Sequence, residues 1–218
     1  MTTVDPTTHD PNSSSTAPAQ IYIIRHGEKP ADLAPPAPNQ PPPVPGPPFG
    51  VDIDGNQDIH SLLPRGWQRS GALAVLFAPA EGALRPGIRT PGALFSPSYG
   101  DPAKTQSHRT YETIYGLSQR SGSPINSPVQ EGQEPALASV VLKGTAPVVL
   151  ICWEHQHIPA LAQALPTVPG TTVPDLWPGD RFDVIWSFTV VTGSADLQYT
   201  FSQIPQQLLA GDTDTVIS

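Results

Sequence analysis

The chain has 218 residues, enough for one domain with a sizeable core, of which 38% are hydrophobic and only 14% charged. Its net charge of -8, from 11 Lys and Arg against 19 Asp and Glu, argues against a general binder of nucleic acid or an anionic membrane, which would normally show a basic face. The single cysteine, Cys152, excludes an intramolecular disulfide and all-cysteine zinc ligation, and no apolar run is long enough to span a bilayer.

Residues 1–19 are polar, rich in Thr, Ser and Pro, and predict a disordered tail. They hold no basic region followed by an apolar core, so a soluble cytoplasmic setting is expected. The run Ile21-Tyr22-Ile23-Ile24 predicts a buried strand that breaks into a loop at Arg25-His26-Gly27-Glu28. Ten prolines lie between positions 30 and 48, so neither helix nor central strand can form there. A polyproline-like insertion over 30–56 is expected, serving as a solvated spacer or as a wall beside the Arg25-His26 loop.

Next, Leu62 to Arg69 leads into an Ala/Leu/Val-rich helix over 70–77, closed by Pro79 and Gly82. Residues 92–97 predict a short second strand. An amphipathic helix is expected over 107–117, with Ser107 as its cap and Ile114 and Leu117 inward. Another helix is expected over 135–142, opened by Pro135. The apolar run Ala146 to Trp153 is the strongest buried-strand signal in the chain, and Glu154-His155-Gln156-His157 follows at its carboxyl end. Residues 158–165 again predict a helix. A Pro/Gly-rich loop over 166–180 precedes a strand over 182–191, a turn over 192–196 and a return strand over 197–202. Strands alternating with helices predict an α/β fold: a three-layer αβα sandwich with a mostly parallel central sheet and a C-terminal β-hairpin at one edge. The domain is expected over 20–205, with a tail over 206–218.

The chemistry-bearing residues are Arg25-His26, Arg109 and His155. Two of these sites follow apolar strands, at whose carboxyl ends ligands bind in open α/β sheets. The third opens a helix, whose N-terminus favours anions. Together they suggest an anion site, with phosphate as the obvious occupant. A metal site built from His26, His155 and His157 is a weaker reading, because two arginines beside a cation would repel it. Cys152 is expected to be a small buried hydrophobe rather than a nucleophile paired with His155.

The order of these motifs resembles the histidine phosphatase superfamily, in its phosphoglycerate-mutase-like branch. Arg25-His26-Gly27-Glu28 after an apolar strand is similar to the family's signature. Ser107 to Thr113 is similar to its second box, and Val148 to His155 followed by Ile158-Pro159-Ala160-Leu161 to its third. Gly66-Trp67-Gln68-Arg69 also fits the layout, and the likeness spans residues 20–202. It implies a phosphatase in which His26 attacks phosphorus and forms a phosphohistidine, while Arg25, Arg109 and His155 clamp the phosphate oxygens. The other ring nitrogen of His26 is then expected to donate to a carbonyl near Gly27.

The family often places its general acid just after the second histidine, where this chain has Gln156. Glu131, Glu134 and Glu154 remain candidates, with Glu154 disfavoured if it continues the strand, since strand neighbours point to opposite faces. The expected substrate is a small phosphorylated metabolite, with no cofactor, metal, nucleic acid or membrane partner. A mutase and a non-catalytic phosphate-ligand binder are the alternatives.

Overall fold

A computed structural model of the chain describes residues 17–32, 38–39, 41, 46–99 and 108–218. Most of the expected tail over 1–19 therefore falls outside the described residues, as do positions 33–37, 40 and 42–45 of the proline-rich insertion and the Ser107 cap. In chain order the elements are β1 (Gln20–Arg25), α1 (Pro64–Phe77), β2 (Ala93–Phe95), α2 (His108–Ser121), β3 (Ile125–Asn126), α3 (Glu134–Leu142), β4 (Val148–Trp153), α4 (Ile158–Gln163), β5 (Val184–Val190) and β6 (Tyr199–Pro205). The six strands form one sheet in the order β3-β2-β4-β1-β5-β6. Pairing is parallel from β3 through β1, whereas β5 runs antiparallel to both β1 and β6.

The two longest apolar runs lie next to each other at the centre. Every residue of β1 and β4 is buried, as a parallel strand covered on both faces requires. Alternation splits their side chains between two cores. Ile21, Ile23, Val149, Ile151 and Trp153 meet Leu137 and Val141 of α3 and Ile158 and Leu161 of α4. Tyr22, Ile24, Leu150 and Cys152 meet Leu73 and Phe77 of α1 and Ile114 and Leu117 of α2. The β1/β4 register runs from Gln20 opposite Val148 to Arg25 opposite Trp153. Both strands therefore end at the same level, and the segments carrying His26 and His155 leave the sheet side by side.

α1 begins at Pro64, where a missing N–H costs nothing, so it starts six residues before the expected Ala/Leu/Val-rich stretch. Its third residue allows close approach to the loop after β1: a Cβ on Gly66 would lie 2.5 Å from Glu28 O. β3 has only two residues and no apolar run, so periodicity could not announce it. β5 begins at Val184, two residues later than expected, and β6 is shifted to Tyr199–Pro205 by its register with β5. No helix among the described residues is long and apolar enough to cross a membrane.

The segment after β6 has no regular structure, yet it is docked rather than trailing. Ile217 is buried in the core and exchanges two hydrogen bonds with the Gln203 side chain. Asp212 forms a buried ion pair with Arg69. Its polar composition suggested a tail, but each polar group that is drawn inward has a partner.

Candidate active site

His26 is held by its own backbone neighbour. Its Nδ1 lies 2.7 Å from Gly27 O, and a carbonyl can only accept, so Nδ1 carries the hydrogen and Nε2 keeps its lone pair. The Gly27 N–H donates to Thr113 Oγ1 at 2.7 Å, and that hydroxyl donates to Arg109 O at 2.6 Å. The first turns of α2 are thereby tied to the loop that carries His26.

Arg25 is buried against the loop before β5. Its Nη1 donates to the carbonyls of Pro178, Gly179 and Arg181 at 3.2, 2.8 and 3.3 Å. Its guanidinium carbon lies 4.0 Å from the centroid of the Phe182 ring, a cation–π arrangement. That clamp leaves Nη2 facing His26 Nε2 at 3.5 Å. The buried Nε of Arg25 has no hydrogen-bond partner among the described residues. An orphaned buried donor on a guanidinium that also faces an imidazole is the kind of group that an oxyanion completes. Burial lowers the Arg25 pKa to about 10, so it stays charged at neutral pH.

The His155 ring is edge-on to His26, with centroids 6.1 Å apart, and its Nδ1 contacts Glu154 Oε1. β4 ends at Trp153, so Glu154 and His155 belong to the following turn and are not bound by strand alternation. This removes the objection to Glu154. Burial alone would raise its pKa, but the close contact with His155 holds it below the ordinary carboxylate value.

The same turn separates His157 from His155. His157 is the residue before α4, and its Nδ1 lies 3.2 Å from Glu134 Oε1. Glu134 is buried, and that oxygen also accepts from Gly132 N and Trp153 Nε1. The donor set with metal-like spacing is instead His26, Glu154 and His155, one ligand atom of each lying within 4.8 Å of the others. Arg25 Nη2, 3.5 Å from His26 Nε2, puts a fixed cation beside one of these donors, which disfavours a second one there.

Arg109 lies in the first turn of α2 and is buried, with Nη2 donating to Ile59 O at 2.8 Å. Burial lowers its pKa, opposed by the fields of Asp32, Asp58, Glu112 and Glu131. Asp32, outside the sequence-derived set, pairs with Lys29. Glu112 accepts the Leu62 N–H at 2.8 Å, and burial pushes its carboxyl up to about 7. Glu28 is bound by Arg65 and Arg69, partners that spacing could not reveal. Phe182 was also missed, because its place in an aromatic-rich run marked it as strand. Cys152 is fully buried in β4, and desolvation drives its thiol pKa up, so it is no nucleophile at neutral pH.

The imidazole pKa of His26 is driven well below the ordinary 6.5, first by burial and then by Arg25, Arg109 and His155, with the Gly27 bond opposing. A histidine whose folded pKa is depressed takes up its proton more readily when unfolded. Its contribution to stability is therefore complete above pH 6.5 and is lost as the pH falls from there toward the folded value. Glu112 acts in the opposite sense, since the folded chain holds a proton that the unfolded chain releases between pH 4.5 and about 7. Comparison with His26→Gln, which keeps Glu112, isolates the histidine. Urea unfolding of the wild type should lose stability relative to this variant as the pH goes from 7 to 5. Parallel pH profiles would show that His26 titrates normally.

No model of a known protein family matches the chain, and no curated protein matches it.

Proposed function

We infer that the chain is a metal-independent phosphomonoesterase of the histidine phosphatase type, acting on a small phosphorylated metabolite. One observation carries the reading: His26 Nδ1–H is committed to Gly27 O, so Nε2 offers its lone pair beside the Arg25 guanidinium. Nε2 attacks phosphorus, the bond to the leaving oxygen breaks in line, and the phosphoryl group rests on the imidazole. Water then attacks phosphorus and releases inorganic phosphate, returning neutral His26. Arg25, Arg109 and His155 stabilise the charge spread over the three equatorial oxygens.

Among the candidate carboxyls, Glu134 is already occupied by two N–H donors and His157. Glu154 is kept ionised by His155. Glu131, whose field reaches Arg109, is the one we assign to protonating the leaving alkoxide. The helices over both sheet faces and the β5–β6 pair at one edge fit a three-layer αβα sandwich with a terminal hairpin. A cytoplasmic setting without nucleic-acid or membrane partners completes the reading, consistent with the net charge of -8.

The test is an acid-free quench of wild-type protein mixed with phosphoryl-labelled p-nitrophenyl phosphate. Up to one label per chain is expected, stable in alkali and lost in acid, as a phosphoramidate is. Release of p-nitrophenol without any such label would overturn the covalent mechanism. Binding of phosphate with no turnover at all would make the chain a binder.

A further inference from the structure

The C-terminal segment grips both walls of the site from behind. Asp212, with its side chain 3% exposed, accepts Arg69 Nη2 at 2.8 Å and Arg69 Nη1 at 3.1 Å, as well as the N–H groups of Leu208 and Leu209. Arg69 turns its other edge to Glu28, with Nη2 to Oε1 at 2.8 Å and Nε to Oε2 at 3.1 Å. Its remaining Nη1 hydrogen goes to Gln206 Oε1 at 3.0 Å, so every N–H of this guanidinium has an acceptor. Glu28 lies two residues beyond His26. Arg65 makes a parallel, more exposed link, from Glu28 Oε1 at 3.0 Å to Ala210 O at 2.7 Å.

A few residues further along, Thr215 O accepts from Arg181 Nη2 at 2.6 Å. Arg181 O is one of the three carbonyls that hold Arg25. Asp183 joins the same assembly, accepting Arg181 Nε at 2.8 Å and Thr213 N at 2.7 Å. Burying two carboxylates around one guanidinium is no better for stability than a well-packed apolar trio. What the charged version adds is direction, since the five hydrogen bonds of the Arg69 guanidinium, two of them to Glu28, link that carboxylate to α1 and the segment.

We propose that residues 208–217 form a positioning strap and that Asp212, acting through Arg69 and Glu28, is a positioning residue for His26. The strap aims Nε2 by fixing the far side of the loop whose near side begins at Arg25. A misplacement of about 1 Å can cost as much as 100-fold in rate, so loss of one hook should be visible in the chemical step. The kinetic arm of the test rests on the reading of His26 as nucleophile, and a second arm does not.

Asp212→Asn is expected to slow single-turnover phosphorylation of His26 about tenfold while KM stays within about twofold, because the strap does not touch substrate. In the second arm, the hydrogen-bonded Nδ1–H proton of His26, observed by NMR, should exchange with solvent about tenfold faster in the variant. Arg65→Ala should shift both readouts in the same direction to a smaller extent, and it decides the matter if Asp212→Asn does not fold. Variants that melt cooperatively, with a wild-type phosphorylation rate and an unchanged Nδ1–H exchange, overturn the strap. If the wild type itself forms no phosphohistidine, the nucleophile reading fails, and the NMR exchange alone decides: faster exchange upholds the strap, unchanged exchange rejects it.

Discussion

His26→Ala is expected to lower kcat/KM toward p-nitrophenyl phosphate by at least about 10³-fold and to abolish the acid-labile label. The size follows from what the side chain supplies. No other described nucleophile takes that position: Cys152 is buried with a raised thiol pKa, and the His155 ring stands edge-on with its centroid 6.1 Å from that of His26. Activity that survived would have to come from water acting directly on phosphorus held by Arg25 and Arg109. The fold should tolerate the change, because β1 and β4 are anchored by Ile21, Ile23, Val149 and Ile151 below the site. Near-normal turnover by a folded His26→Ala protein would reject the mechanism outright.

The parts of this architecture that were legible in the sequence are those whose signal is local. The β1 and β4 runs are apolar throughout, so burial on both faces could be read from residues 21–24 and 146–153 alone. The loop order followed as well, because Arg25-His26 and His155 each come directly after such a run. The site's supports were not legible, because they join residues far apart in the chain. Nothing near Asp212 marks it as a partner of Arg69, 143 positions away, and its polar neighbours read as a tail. Phe182 beneath Arg25 was hidden for a different reason: an aromatic before a strand looks like part of that strand, whatever its ring touches. The placement of Glu154 turned on a single residue, since alternation governs it only if β4 runs past Trp153.

Arg109→Ala should reduce kcat/KM at least about a hundredfold, comparable to removing a main oxyanion donor. Two consequences separate this guanidinium from Arg25. Arg25 is fixed by three carbonyls and the Phe182 ring, so its place does not depend on substrate. One hydrogen bond of Arg109 goes to Ile59 O, on the stretch that follows the proline-rich insertion. Its loss therefore also removes one tie between that stretch and α2, leaving the Glu112–Leu62 hydrogen bond, and the cost should appear in KM as well as in kcat. Arg109→Lys tests geometry against charge. A lysine ammonium keeps the charge but cannot hold a carbonyl and a phosphate oxygen in one rigid plane, so it should recover less than about a tenth of the lost rate. Competitive inhibition by inorganic phosphate reads the same contact without chemistry, and its affinity should fall in both variants. If Arg109→Ala bound phosphate as tightly as the wild type, α2 would not face the anion, and His26 would be left with Arg25 and His155 alone.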